Sequence, residues 1–213
     1  MARQQRVVIV GGGVIGLLTA FNLAADVEQV IVLERGGAGQ ESSWAGGGIV
    51  SPLYPWRYNC AVTALAHWSQ DFYPQLAERL FASTGIDPEV HTTGLYWLDL
   101  DDEAQALEWA GREGRPLGAV DMSAVHDAVP VLGGGYAHAI YMANVANVRN
   151  PRLVKSLKAA LQAMPNVTVH EQCEVLGFVR EGERVCGVNT DRGEIRGDAA
   201  ALSAGAAPSS SRS

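Results

Sequence analysis

Three glycines and one acid are the residues of this chain whose types and spacing could do chemistry. Gly11, Gly13 and Gly16 satisfy G-x-G-x-x-G, and Glu34 closes the apolar run beyond them, within VVIVGGGVIGLLTAFNLAADVEQVIVLE from Val7 to Glu34. A Cβ at Gly11 would obstruct a tight turn, one at Gly13 would hold a pyrophosphate off the backbone, and one at Gly16 would push a helix from its sheet. The turn must therefore join a strand, Val7 to Val10, to a helix from Val14 to about Asp26. The helix start, at Val14 and Ile15, supplies unpaired N–H groups and the positive end of a dipole, which suits a diphosphate. Glu34 ends the second strand, where a carboxylate can accept hydrogen bonds from both hydroxyls of an adenosine ribose and would repel a 2′-phosphate. NADP is therefore not expected. Strand, turn, helix, strand and terminal acid together form a dinucleotide fingerprint.

With 213 residues and 47% hydrophobic content, the chain can hold one large or two small domains around a buried core. A formal charge of -7 and the lack of a Lys/Arg cluster argue against nucleic acid as a partner. The longest apolar stretches are broken by Gly11 to Gly13 or by Asp26 and Glu28, so no membrane span is expected. The N-terminus lacks the charged and apolar regions of a signal peptide, which points to a cytoplasmic protein. Cys60, Cys173 and Cys186 lie in no metal-ligand spacing and read as three reduced thiols, with no metal site.

After Glu34 the run RGGAGQESSWAGGGIVSPLYP is too rich in Gly and Ser for an ordinary helix or strand. Gly46, Gly47 and Gly48 allow backbone to lie flat against a planar ligand, and Ser42 and Ser43 offer donors to phosphate oxygens. A flexible surface linker is the plain alternative. From Tyr58 to about Thr84 the pattern is helical, with Leu65, Trp68, Phe72, Leu76 and Leu80 as one buried stripe, and Pro74 kinks or splits the helix. His67 beside that stripe reads as a packed histidine without a role. A strand over Gly94–Leu100 leads to a helix from Asp101 to about Gly111. The acidic run Asp99, Asp101, Asp102 and Glu103 there is a solvated turn and N-cap, not a metal site.

A short capped helix, Ser123–Ala128, precedes a turn at Gly133–Gly135 and a strand over Ala137–Met142. Asn150 then caps a helix with Pro151 at its first position and Leu153, Leu157 and Leu161 on one face. Strands follow at Val167–His170, Val175–Arg180 and Arg184–Asn189, the latter two joined by a hairpin at Gly182. That is a meander, not another wound unit. The last strand, Ala199–Ser203, enters the small pair Ala204-Gly205, suited to close approach by a ligand or backbone.

The fingerprint with Glu34, the loop ESSWAGGGIVSPLYPW, the segment NVRNPRLVKSL and the closing ALSAGA, in that order, resemble the D-amino-acid oxidase family of FAD-dependent flavoproteins, and within it the glycine oxidase branch. The resemblance implies an α/β fold: a Rossmann-like FAD-binding domain, with parallel sheet and β-meander, over residues 1–84 and 150–207. Part of a substrate domain would be inserted at 85–149, and residues 208–213 would form a disordered tail. It implies noncovalent FAD, its pyrophosphate on Gly11, Gly13 and Gly16 and its ribose on Glu34. Arg35, Ser42 and Ser43 would lie along the nucleotide, and Ala45, Gly47, Gly48 and Ile49 along the flavin ring. The Val175 backbone would face the adenine, and Ala204-Gly205 would sit beside the nucleotide.

The implied reaction oxidises the amine of glycine or a small D-amino acid to an imine and then an oxo acid, by hydride transfer to flavin with oxygen as acceptor. The substrate carboxylate would call for an arginine's planar fork. After Gly205, where the family continues toward that arginine, this sequence reads Ala206-Ala207-Pro208 and three serines. The expectation is a truncated, N-terminal part of such an oxidase. Arg57 and Arg149 read as solvated surface residues, and no catalytic residue is assigned. Uncovered strand edges would favour association with further copies. A non-catalytic flavin- or nucleotide-binding fragment and an NAD-dependent dehydrogenase stay open beside this reading. Against the dehydrogenase speak the Ser/Gly loop and the meander.

Overall fold

The computed structural model describes residues 3–205. The expected tail lies outside them. The chain begins with β1 (Arg3–Val10), α1 (Val14–Leu23), β2 (Val27–Leu33), the single turn α2 (Ser42–Ala45) and β3 (Ile49–Val50). After a 3-10 turn at Pro55–Arg57 come α3 (Cys60–Thr84), β4 (His91–Thr92), β5 (Leu95–Leu98), α4 (Glu103–Glu113), β6 (Leu117–Val120), α5 (Met122–Ala128), β7 (Ala139–Met142) and β8 (Ala146–Asn147). It returns through α6 (Asn150–Gln162), β9 (Val167–His170), β10 (Val175–Glu181), β11 (Arg184–Thr190), β12 (Gly193–Arg196) and β13 (Ala199–Leu202).

The described residues form two compact units. One runs to Gly47 and adds Glu78–Pro88 and the chain from Arg149 on, while the other holds Gly48–Ala77 and Glu89–Val148. Residues 48–77 cluster with the second unit. The reason is apolar: Trp56 belongs to the core of Trp97, Trp109, Ile140 and Met142.

The first unit is the α/β fold that the fingerprint requires. Its four strands pair in the order β13-β1-β2-β9, all parallel, with Val7 opposite both Ala199 and Val30. A parallel sheet needs cover on both faces, and Val8, Ile9, Val30 and Val32 are wholly buried. Helix α1 buries Gly16, Leu17, Ala20 and Phe21, and α6 buries Leu153, Val154, Leu157, Ala160 and Leu161. The meander β10-β11-β12 contributes Val175, Val188 and Ile195 to a cluster with Val8, Val10, Ile31 and Leu33. That burial sets the strand ends, and so the glycine turn, on a rigid base.

In the second unit, β5-β7-β6 and β3-β8-β4 form two small antiparallel sheets. Two-residue strands carry no usable period, which is why β3, β4 and β8 were not expected. Helix α3 is continuous through Pro74. Leu76 and Leu80 are buried as expected, but Leu65 is 71% exposed and Trp68 66%, with Trp68 stacked on Phe72. Periodicity places side chains on one face without saying that anything covers it. Asn150 is the first residue of α6 instead of its cap, which is Arg149. Asp102 flanks α4 without a side-chain capping bond, because its carboxylate serves Trp56 and Arg57.

Candidate functional site

The glycine turn is held by the end of the neighbouring strand. Ser203 donates its N–H to the Val10 carbonyl at 2.8 Å, and its hydroxyl reaches the carbonyls of Val10 and Gly11, each at 3.2 Å. Gly11 has φ +108, and a Cβ there would run into the Ser203 carbonyl and come 2.9 Å from the Ala204 Cα. A Cβ on Gly16 would strike the Gly11 carbonyl. Both glycines are therefore demanded by backbone packing within the protein. Gly13 differs. It is the N-cap of α1 in extended conformation, and the only atom near its absent Cβ is Ser43 Oγ at 3.2 Å.

Glu34 follows β2, whose end is tied to its neighbour: the Glu34 N–H donates to the His170 carbonyl and the Cys173 N–H to the Glu34 carbonyl, both at 2.9 Å. With its backbone fixed, the carboxylate accepts the N–H of Gly12 on Oε2 and that of Gly36 on Oε1, each at 2.8 Å. Each oxygen keeps a further lone pair for an incoming hydroxyl. Ser43 Oγ accepts the Val14 N–H at 2.8 Å, satisfying one of the orphan donors of α1. Ile15 is 64% exposed beside it. Gly11, Gly13, Val14, Glu34, Ser43 and Ala204 are thus brought together around one turn.

The remaining residues lie along the neighbouring backbone. Arg35 and Ser42 are exposed, Ser42 at the start of α2. Ala45 and Gly47 are exposed, Gly48 is half-buried and Ile49 projects into solvent. Val175 is half-buried against the Val8–Val10 cluster, and Gly205 is exposed with φ +67. Ser203, Gly12 and Gly36 were missed in the sequence. Their contributions are hydrogen bonds that join separate segments, a relation that no local pattern records.

The Arg57 side chain does not read as a waiting carboxylate clamp. Arg57 stacks on Tyr54 and closes its fork on Asp102, with Nε to Oδ2 at 2.7 Å and Nη2 to Oδ1 at 3.0 Å. The Arg57 guanidinium and the Trp56 indole hold the Asp102 carboxyl down at about 2. Arg149 donates its backbone N–H to the Pro88 carbonyl at the start of α6. His67 is half-buried against Trp109, and burial pushes its imidazole below the ordinary value. Among the described residues no helix is long and apolar enough to cross a membrane.

The family model of DAO, FAD dependent oxidoreductase, matches residues 6–212. The chain belongs to the DAO family of FAD-dependent oxidoreductases. It is 75% identical over 202 residues to a glycine oxidase of Pseudomonas putida, covering 95% of this chain and 55% of that protein. A glycine oxidase of Pseudomonas aeruginosa is 63% identical, with 95% of this chain and 56% of that protein covered. The solved structure of glycine oxidase from Geobacillus kaustophilus superposes with a TM-score of 0.85 at 28% identity, over 95% of this chain and 56% of that one. The chain spans about half the length of these relatives. FAD is the family's cofactor, and the residues present fit it. Gly13 places no side chain at the start of α1, where a diphosphate would meet the helix N–H groups, and the spare lone pairs of Glu34 would suit a ribose.

Proposed function

We propose that this chain binds FAD noncovalently and serves the oxidation of the amine of glycine or a small D-amino acid, with oxygen as electron acceptor. The carrying observation is the pairing of a Gly13 without side chain at the head of α1 with a Glu34 carboxylate already aimed by Gly12 and Gly36. The backbone N–H groups at the head of α1 would meet the pyrophosphate, and Ser43 would yield or share its bond to Val14. Glu34 would hold the ribose, Arg35 and Ser42 would lie along the nucleotide, and the Val175 backbone and Ala204-Gly205 would flank it. Ala45, Gly47, Gly48 and Ile49 would line the ring. Bound FAD would supply a two-electron acceptor for the substrate Cα hydrogen. With the Arg57 fork closed on Asp102, no carboxylate-binding arginine is assigned in this chain, and no catalytic residue is named. A cytoplasmic setting belongs to the same proposal.

The test is a visible spectrum and a peroxide assay. The purified chain should carry, or gain with added FAD, the flavin absorption bands and quench flavin fluorescence. A chain that stays colourless and quenches nothing would sink the proposal. Peroxide released from glycine or sarcosine above an enzyme-free control would establish catalysis. FAD binding without peroxide would favour the second reading, a flavin-binding module. NADH binding without FAD binding would favour a dehydrogenase, against which the 35–48 segment stands, since after Glu34 it leads to no further strand-helix unit of the sheet.

A further inference from the structure

The stretch from Gly46 to Val50 is held at every second carbonyl by a donor from far along the chain. Asn150 Nδ2 donates to the Gly46 carbonyl at 2.7 Å. The Val148 N–H donates to Gly48 at 2.8 Å. Gln70 Nε2 donates to Val50 at 3.0 Å. The middle bond adjoins the pairing of β3 with β8, in which Ile49 faces Asn147 and Val50 faces Ala146. A two-residue ladder is too short to fix itself. The outer two bonds come from side-chain amides on α6 and α3.

Both amides are committed. Gln70 is only 9% exposed, and Arg115 Nη2 donates to its Oε1 at 3.1 Å. A guanidinium has no acceptor, so Oε1 must face Arg115 and Nε2 must face Val50. The Asn150 amide lies so close to Gly46 that a Cβ there would come 2.6 Å from Nδ2. By contrast, no atom lies within 4 Å of an added Cβ on Gly47, and Ile49 is 48% exposed. The stretch is anchored through its carbonyls and open at Gly47 and Ile49, while the Val50 side chain is buried.

We propose that Asn150 and Gln70 are positioning residues that fix the Gly46–Val50 backbone so that Gly47, Gly48 and Ile49 present a preformed surface to the flavin ring. This rests on the reading of that stretch as a flavin surface. Asn150→Asp and Gln70→Glu test it in the full chain, since each keeps shape but loses its NH2 donor. Asp suits the first turn of α6, and Glu gains an ion partner in Arg115, so neither change acts simply by unfolding. If either variant fails to fold, Asn150→Ser and Gln70→Ser give the same reading.

Two measurements separate the outcomes. Amide exchange on the FAD-free chain should accelerate about tenfold in peptides covering 44–52 and 145–150, with β1 and β2 unchanged. FAD affinity should fall by about tenfold per variant, and the visible flavin bands should shift. Unchanged exchange in both variants overturns the proposal. Faster exchange with parental FAD affinity and spectrum also overturns it, because the bonds would then be structural only. A parent chain that binds no FAD overturns the flavin reading instead, whatever the exchange shows.

Discussion

Glu34→Gln isolates the residue on which the cofactor assignment turns. In the parent both carboxylate oxygens accept backbone N–H groups, Gly12 on one side and Gly36 on the other, at 2.8 Å each. An amide keeps only one acceptor, so its NH2 must face one of those N–H groups, donor against donor. A charge-assisted bond is worth about 1.5–3 kcal/mol when buried, and partial exposure here brings its loss to about 1–2 kcal/mol. That penalty falls on the geometry of the turn, and the ribose also exchanges a carboxylate for a neutral amide. FAD affinity is therefore expected to weaken roughly 5- to 30-fold. The assay is a flavin-fluorescence titration of parent and variant, with circular dichroism and a urea midpoint on each to separate folding from binding. A variant that binds FAD within twofold of the parent, at an unchanged midpoint, would refute the role given to Glu34.

Three further outcomes follow from other parts of the molecule. Gly11→Ala should lose at least about 2 kcal/mol by urea unfolding, from the positive φ and the overlap with the Ser203 carbonyl; a neutral result would deny the tight turn. Asp102, held at about 2, lends stability that is present above the ordinary carboxylate range and lost as the pH falls through its folded value. Tryptophan fluorescence of the parent should therefore show a transition between roughly pH 4 and 2, which Asp102→Asn should abolish; an identical acid limb would contradict the Trp56–Asp102–Arg57 anchor. On α3, Leu76→Ala should cost about 2–5 kcal/mol and Trp68→Ala under about 1 kcal/mol, with equal losses speaking against the observed exposure.

What could be read in advance was what short-range sterics decide. Gly11 and Gly16 are forced by atoms of the turn and of the strand ends it joins, and a strand-turn-helix pattern carries that requirement in six residues. Val167–His170 matched its strand because a short β-branched run between Pro165 and a polar turn has few other uses. Asp102 was placed at the right helix but with the wrong partner. Its neighbours in space, Trp56 and Arg57, stand 46 and 45 residues away, and acidic spacing alone cannot see them. The α3 stripe failed at Leu65 and Trp68 for a related reason: a helical period is a property of one element, while burial needs a second.

The same division runs through the candidate site and explains why its two halves differ in how they can be changed. The end proposed for the pyrophosphate is specified by absent side chains, so almost any substitution at Gly11 or Gly16 collides with backbone of the turn. The stretch assigned to the ring is specified by hydrogen bonds from Asn150, Val148 and Gln70, and Gly47 and Ile49 on it face outward with room around them. Substitutions at Gly47 or Ile49 should therefore be tolerated by the fold and felt by the ligand. At Asn150 and Gln70, by contrast, the ligand should be affected only through the backbone. A site built this way would let side chains on the stretch proposed to face the ring vary while the geometry that presents them is kept by residues remote in sequence.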